Sequence, residues 1–514
     1  MNILSIFSGF WKLLLDPVTI LYIFIGGQAG IIFGMMPGLT TTTAMSLLTG
    51  LTFTLPPERA IAVVLGAYVG SVTGGSRSAI LVNIPGTPAQ AAVCLDGYPL
   101  ALQGRAAEAI GLSVTASTIG TLLGFICLAL FTPLLGAAAM SFGTYEFFWL
   151  AIIGVVIAGS LCSPKDPIKG WIMGFLGLVL MTVGEDNIHA IERFTFGYNP
   201  LRGGFALIPV MIGAYGIPEV LDAVRQRQQI VVQTKVGRVV PRFGEVFKYK
   251  WLILRSSLIG LIIGIIPGVG SDTASWLSYF AAKKSSKHPE LFGHGAIDGF
   301  IAAETGDNAC VGGDIIPTLT LGIPGSAPAA VLLAALTIHN LRPGPMLVVE
   351  QPEVVGQIIA ISMVATVAVF ILSLLMVKQM VKLLLIPRNV LMPAVFIICV
   401  TGAYALSGRL FDIYVMFAFG LFGVIMKELD YPVAPLVLGF ILGPMAEDNL
   451  RRGLMITGGS PSPFFTRPIS FALFLLLFFS VFGATKTGKR LMNAIKGKFS
   501  FIFSKRFAAG GKEK

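Results

Sequence analysis

"IPTLTLGIPGSAPAAVLLAAL", Ile316 to Leu336, has the apolar content of a membrane helix, but Pro324-Gly325-Ser326 interrupts it. "AILVNIPGTPAQAAV", Ala79 to Val93, carries the same interruption as Pro85-Gly86-Thr87. Proline removes a backbone donor and glycine weakens a helix. In hydrocarbon every unpaired backbone group costs several kcal/mol, so broken helices persist only where protein buries them or where they line a cavity. A chain that breaks two apolar helices in the same way has a use for the breaks.

The rest of the chain supports reading these stretches as membrane helices. Its 514 residues are 55% hydrophobic and only 12% charged, about half the charge of an average soluble chain. Apolar stretches of spanning length recur: Val18–Met36, Ala106–Leu135, Phe147–Leu161, Trp251–Ile266, Val354–Val377, Val390–Leu406, Phe411–Met426 and Ile469–Phe482. The pattern predicts an all-α polytopic membrane protein. Its 60 glycines and 30 prolines suit helices that pack closely and break where needed. The N-terminal "MNILSIFSGFWKLLLDP" has no basic start and no small-residue cleavage site, so it reads as mature protein.

The interruptions belong to longer patterns that occur once in each half. Gly34-Met35-Met36-Pro37-Gly38 matches Gly264-Ile265-Ile266-Pro267-Gly268. Gly74-Gly75 matches Gly312-Gly313, and Ile84-Pro85-Gly86-Thr87 matches Ile323-Pro324-Gly325-Ser326, in the same order. The chain divides into a first transmembrane half (1–216), a basic linker (217–250), a second half (251–485) and a basic tail (486–514). Positive charge in the linker and tail places both in the cytoplasm by the positive-inside rule. The net charge of +11 concentrates there, beside anionic lipid, and is no nucleic-acid signature.

Transporters built from two repeats bind substrate and ions near the midplane, where broken helices meet. A half-helix N-terminus offers free N–H groups and positive dipole to an anion, and freed carbonyls can hold a cation. The expected substrate-binding residues are Asn83, Pro85, Gly86, Thr87 and Pro88 in the first tip, and Gly322, Pro324, Gly325 and Ser326 in the second. The hydroxyl run after Pro37-Gly38 adds Thr41, Thr42 and Thr43, which can face a ligand, while Thr40 or Thr41 can instead cap a new helix. The glycines at the outer breaks, Gly38 and Gly268, and the polar Glu304, Asp307 and Asn308 are candidates for a coupling cation. Asp96, before Gly97, reads as a turn residue.

These motifs resemble the TctA family, the large membrane subunit of the tripartite tricarboxylate transporters. The carrying stretches are "PGLTTTTAMSLLTGLTF" (37–53), "GGSRSAILVNIPGTPAQAAVCLDGYPLALQGRAAEAIG" (74–111), "AAETGDNACVGGDIIPTLTLGIPGSAPAAVLLAALTIHNLRPGP" (302–345) and "LGFILGPMAEDNLRRGL" (438–454). The resemblance implies a secondary transporter of the bacterial inner membrane that takes up tricarboxylates such as citrate, or other organic acids. It implies a small membrane subunit, a periplasmic solute-binding protein and a sodium or proton gradient, with no organic cofactor. The acidic stretch departs from the family's Pro-Glu-x-x-Asn-Asn-Ala pattern by reading Ala303-Glu304-Thr305-Gly306-Asp307-Asn308-Ala309. Arg77, Asp272 and Asp314 stand where the family is apolar or neutral. Arg77 and Asp314 follow their double glycines closely, so they are expected to pair between the halves, to flank the substrate path with Arg77 taking a substrate carboxylate, or each to find a separate polar neighbour at a wet surface.

Other function classes find little support. "GATKTGKR" (Gly483–Arg490) approaches a phosphate loop, but Arg490 replaces the magnesium-binding hydroxyl. No G-x-S-x-G or H-E-x-x-H occurs. The five cysteines and four histidines are dispersed, which suggests neither disulfides nor a metal site. A passive channel, or an organic-anion carrier working without a binding protein, remains the alternative to gradient-driven uptake.

Overall fold

The computed structural model describes residues 3–36, 39–163, 165–186, 188–225, 239–384, 388–405 and 407–484. Pro37 and Gly38, most of the basic linker, and the tail from 485 onward, with most of the "GATKTGKR" stretch, lie outside them. Among the described residues six helical runs are long and apolar enough to cross a membrane, and four shorter apolar helices accompany them. The protein is an all-α polytopic membrane protein. A two-residue hairpin, pairing Gly184 with Arg193 and Glu185 with Glu192, is the only β-structure among the described residues.

Local chemistry sets the helix starts. Asp16 accepts hydrogen bonds from the Val18 and Thr19 N–H groups, both at 3.1 Å, ahead of helix Pro17–Met35. Pro17 occupies the first turn, where its missing N–H costs nothing. Small residues then let this helix lie against helix Pro57–Val82. A Cβ placed on Gly26, Gly30 or Gly34 would stand 2.2, 2.4 or 2.1 Å from the carbonyl oxygens of Val63, Ala67 and Ser71. The second half uses the same device: a Cβ on Gly260 would lie 2.2 Å from the Gly306 oxygen of helix Ile297–Leu321. Between helices in lipid the hydrophobic effect contributes little, so close backbone approach at small residues holds them together. The opposite face of helix Lys250–Ile265 exposes Trp251, Leu254, Leu258 and Ile262, an apolar stripe suited to lipid.

Both halves contain the same order of elements around their breaks. In the first, helix Pro17–Met35 precedes helix Thr41–Leu51; helix Pro57–Val82 then runs to the tip, and Pro88–Gln90 and Ala91–Leu100 leave it. In the second, the series is Lys250–Ile265, Gly270–Ser285, Ile297–Leu321 and Ala327–Ile338. The backbone at the breaks agrees as well. Met36 and Ile266 end their helices at φ −81°, ψ 110° and φ −81°, ψ 117°. Asn83 and Gly322 end theirs in the left-handed region, at φ 56° and φ 69°.

Asp96 is no turn residue. It lies inside helix Ala91–Leu100, fully buried, and its Oδ1 accepts the N–H groups of Gly293, Gly295 and Ala296 at 2.8, 2.9 and 2.9 Å. A carboxylate from the first half thus ties the loop that enters helix Ile297–Leu321 in the second. Charge-assisted hydrogen bonds of this kind contribute roughly 1.5–3 kcal/mol each. Asp96→Ala is expected to lower stability by about 3 kcal/mol or more, read as a fall in melting temperature of the purified protein. Asp96→Asn, which keeps one acceptor, should fall between the two.

The expected boundary between the first half and the linker, at residue 216, does not coincide with a break. Leu207–Met211, Ile212–Gly216 and Ile217–Arg225 abut as one helical run. Within it Glu219 accepts the Thr40 N–H at 3.3 Å and the Thr43 hydroxyl at 2.7 Å. The beginning of the linker therefore serves the interior of the first half. The motif stretch "LGFILGPMAEDNLRRGL" divides its roles: Gly439 packs against Gly174, while Glu447 and Arg451 form ion pairs with Arg193 and Asp186 around the hairpin.

Candidate functional site

The breaks meet. A cavity of about 220 Å³ is lined by Thr87 and Pro88 of the first tip and by Ser326, Ala327 and Pro328 of the second. Thr40, Thr41 and Thr42 enter from the first half, and Gly268, Val269, Gly270, Ser271 and Asp272 from the second. Cys162, Tyr215 and Ala434 complete the wall. Each broken stretch reaches it as the N-terminus of a helix: Thr41–Leu51, Pro88–Gln90 continuing into Ala91–Leu100, Gly270–Ser285, and Ala327–Ile338. Four positive helix ends therefore face one cavity.

These ends differ in how they are satisfied. Thr40 caps the first, accepting the Thr43 N–H at 3.3 Å, with Glu219 behind it. Ser326 caps Ala327–Ile338, accepting the Ala329 N–H at 3.3 Å. Asp272 reaches from the second half toward the Ala89 N–H beside the first tip. Helix Gly270–Ser285 has no side-chain cap, and its entry is fixed by the Gly268 N–H donating to the Gly325 oxygen at 2.8 Å. Its first N–H groups are thus available to an anion. The Tyr215 hydroxyl, on the wall, is buried with no hydrogen-bond partner.

Of the residues expected at the site, Thr41, Thr42, Thr87, Pro88, Ser326 and Gly268 line the cavity. Asn83, Pro85, Gly86, Gly322, Pro324 and Gly325 are not among the residues that line it. Gly86 and Gly325 are not required by positive φ, since neither adopts one. They are required by packing. A Cβ on Gly86 would lie 2.0 Å from the Gly34 oxygen and 2.6 Å from the Gly75 Cα; one on Gly325 would lie 2.2 Å from the Gly264 oxygen and 2.7 Å from the Asp314 Cα. Each tip is thus pressed into the crossing of its own half's helices. Gly38 lies outside the described residues.

Arg77 and Asp314 do not pair. Asp314 accepts the Tyr68 hydroxyl at 2.6 Å and faces Ser326 and Cys310. Counting back from the tip glycines explains this: Gly75 precedes Gly86 by eleven residues, as Asp314 precedes Gly325, so Arg77 is two positions out of register. Arg77 is fully buried away from the cavity, donates from Nη1 to the Thr73 carbonyl, and leaves Nε and Nη2 without partners. The acid in whose field it lies is Glu304.

The cation candidates form a polar layer in helix Ile297–Leu321, all fully buried. Glu304 accepts the Ser113 and Ser117 hydroxyls at 2.9 and 2.8 Å. Asn308 donates to the Ser117 hydroxyl at 3.0 Å and accepts from Thr73 at 3.2 Å. Asp307 accepts the Gln90 amide at 2.6 Å; Gln90 in turn accepts the Thr87 hydroxyl at 3.1 Å. Asp307 is thus linked to the cavity through two side chains.

Sequence reading missed Asp272, Tyr215, Glu219 and Gln90 as site residues. A signal existed for one of them: Thr42 follows Pro37 by five residues and Asp272 follows Pro267 by five, so the hydroxyl run in one half marks Asp272 in the other.

A family profile described as the tripartite tricarboxylate transporter TctA family matches residues 20–438. An uncharacterized 52.8 kDa protein in the TAR-I ttuC' 3' region of Agrobacterium vitis is 34% identical over 476 residues, covering 92% of this chain and 94% of that protein. An uncharacterized protein in the TAR-II ttuC' 3' region of the same organism is 37% identical over 214 residues, covering 42% of this chain and 88% of that protein. No solved structure matches the chain. Apolar helices broken in both halves around one cavity, and a family profile that covers both breaks, place this chain in the tripartite tricarboxylate transporter TctA family, as a membrane component of a transporter.

Proposed function

We propose that this chain is the membrane-embedded translocation subunit of an ion-gradient-driven uptake system for carboxylates in the bacterial inner membrane. A periplasmic solute-binding protein delivers the substrate, and a small membrane subunit completes the assembly. The observation that carries this reading is the convergence of four helix N-termini from both halves on one cavity. The substrate's carboxylate oxygens accept from the uncapped N–H groups of helix Gly270–Ser285 and from the hydroxyls of Thr41, Thr42 and Tyr215. Asp272 is the one carboxylate on the wall. It repels a second full negative charge beside it and accepts from a hydroxyl or a protonated group of the substrate.

The matched order of elements supports two repeats related by a pseudo-two-fold axis in the membrane plane, with one half rocking against the other. Movement would separate the tips, opening the cavity first to one side and then to the other. A sodium or proton gradient drives the cycle through the polar layer under the cavity.

The test is uptake of radiolabelled dicarboxylates and tricarboxylates into proteoliposomes holding both membrane subunits, with the binding protein present and absent. Accumulation above the outside concentration, dependent on the binding protein and on an imposed sodium or proton gradient, is expected. Equilibration without accumulation under every gradient would instead mark a passive channel.

A further inference from the structure

Asp307 presents an unsolved electrostatic problem. Its side chain is fully buried in helix Ile297–Leu321. Oδ2 accepts the Gln90 amide, but Oδ1 is buried without any hydrogen-bond partner. An ionised carboxylate in that position is costly unless a cation or several donors meet it. Arg77 does not supply the charge: it lies in the field of Glu304, and Asp307 instead faces the like charges of Glu304, Asp272 and Asp314.

The neighbouring helix offers oxygen rather than charge. The Ser271 hydroxyl comes near the Asp307 carboxylate but does not reach hydrogen-bond geometry with Oδ1. Ser275 and Ser278 follow at helical spacing on the same face of helix Gly270–Ser285, and both hydroxyls are buried with no partner. That face lies against the Asp307 stretch, because a Cβ on Gly306 would stand 2.1 Å from the Ser278 Oγ. Three unsatisfied buried oxygens thus lie along one helix–helix seam. Buried polar atoms are rarely left so, and a cluster of them marks a place for an unseen partner. A proton on Asp307 would satisfy one oxygen and leave the two serines as they are. A small hard cation, which takes carboxylate and hydroxyl oxygens together, would engage all three.

We propose that Asp307, with Ser275 and Ser278, forms a sodium site one layer beneath the substrate cavity, and that Glu304 is the counter-charge of Arg77 rather than a cation ligand. This rests on the gradient-driven reading only for its role in transport; binding itself does not depend on it. Through Gln90, which joins Asp307 to Thr87 of the first tip, occupation of the site would fix the tip that faces the substrate.

The experiment is a melting-temperature titration of the purified transporter, without substrate, in sodium chloride against choline chloride at constant ionic strength and pH 8. A saturable rise specific to sodium is expected. Asp307→Asn should flatten it, and Ser278→Ala should raise the half-saturating sodium concentration by about ten-fold, or 1.4 kcal/mol in binding. If Asp307→Asn does not fold, Ser275→Ala and Ser278→Ala decide, and unchanged half-saturation in both overturns the site. A wild-type response to acid but not to sodium also overturns it, in favour of a proton. Carboxylate uptake is measured separately, so loss of sodium binding and loss of the transport reading are told apart.

Discussion

Gly325→Leu and Gly86→Leu are each expected to abolish uptake and to destabilise the protein by more than about 3 kcal/mol, above the usual range for overpacking. The reason is what the new side chain would meet. At Gly325 the first atom beyond Cα already falls 2.2 Å from a backbone oxygen of helix Lys250–Ile265, and at Gly86 2.0 Å from one of helix Pro17–Met35. Backbone cannot swing aside as a flexible side chain does, so the tip itself must move. The Gly268 N–H bond to the Gly325 oxygen would break with it, and the uncapped start of helix Gly270–Ser285 would lose its alignment. Thr87→Ala and Ser326→Ala, by contrast, remove hydroxyls from the cavity without crowding the tips. They should weaken apparent affinity while leaving stability within about 1–2 kcal/mol of wild type. Wild-type uptake by Gly325→Leu would show that the tip is not held in this crossing.

Arg77→Met is expected to cost roughly 3–5 kcal/mol, the range for removing one partner of a buried charge pair. Guanidinium stays charged in protein interiors, and Glu304 is the acid in whose field Arg77 lies, so each is the proposed counter-charge of the other. Removing Arg77 leaves Glu304 fully buried among neutral hydroxyls, those of Ser113 and Ser117 and that of Ser76 nearby, with no compensating charge from Arg77. The double variant Arg77→Met with Glu304→Gln should recover most of the loss, because both charges then disappear together. A double-mutant cycle on thermal unfolding checks this. The pair Arg77→Asp with Asp314→Arg should show no recovery, since Asp314 belongs to Tyr68 and Ser326. Strong coupling in that second pair, and none in the first, would reverse the assignment.

Much of the fold could be read along the chain. All eight apolar stretches proved helical over nearly all of their described residues, because apolar length and composition report directly on membrane depth. The Pro-Gly tips and the threonine run were legible too, since a break in a membrane helix is a local event written in local residues. What the chain did not reveal was helical phase across distant segments. Asp96 sits beside glycine and looks like a turn, yet its partners are backbone groups about 200 residues later. Arg77 and Asp314 sit beside matching double glycines, but two residues turn a helix by more than half a circle, enough to send the side chains to different neighbours. Tyr215 and Glu219 lie where basic charge begins to mark a linker. Only the fold shows that a helix carries them back to the cavity.

The central claim is that both tips hold one carboxylate between them. Ala327 lies on the cavity wall at the start of the second tip's helix. With the five native cysteines replaced, Ala327→Cys should react with a small maleimide, and a transported carboxylate should slow that reaction at least ten-fold at saturation. The same substrate should protect Thr87→Cys, on the first tip, with the same concentration dependence. Protection of one tip without the other, or of neither at saturating substrate, would contradict a shared site.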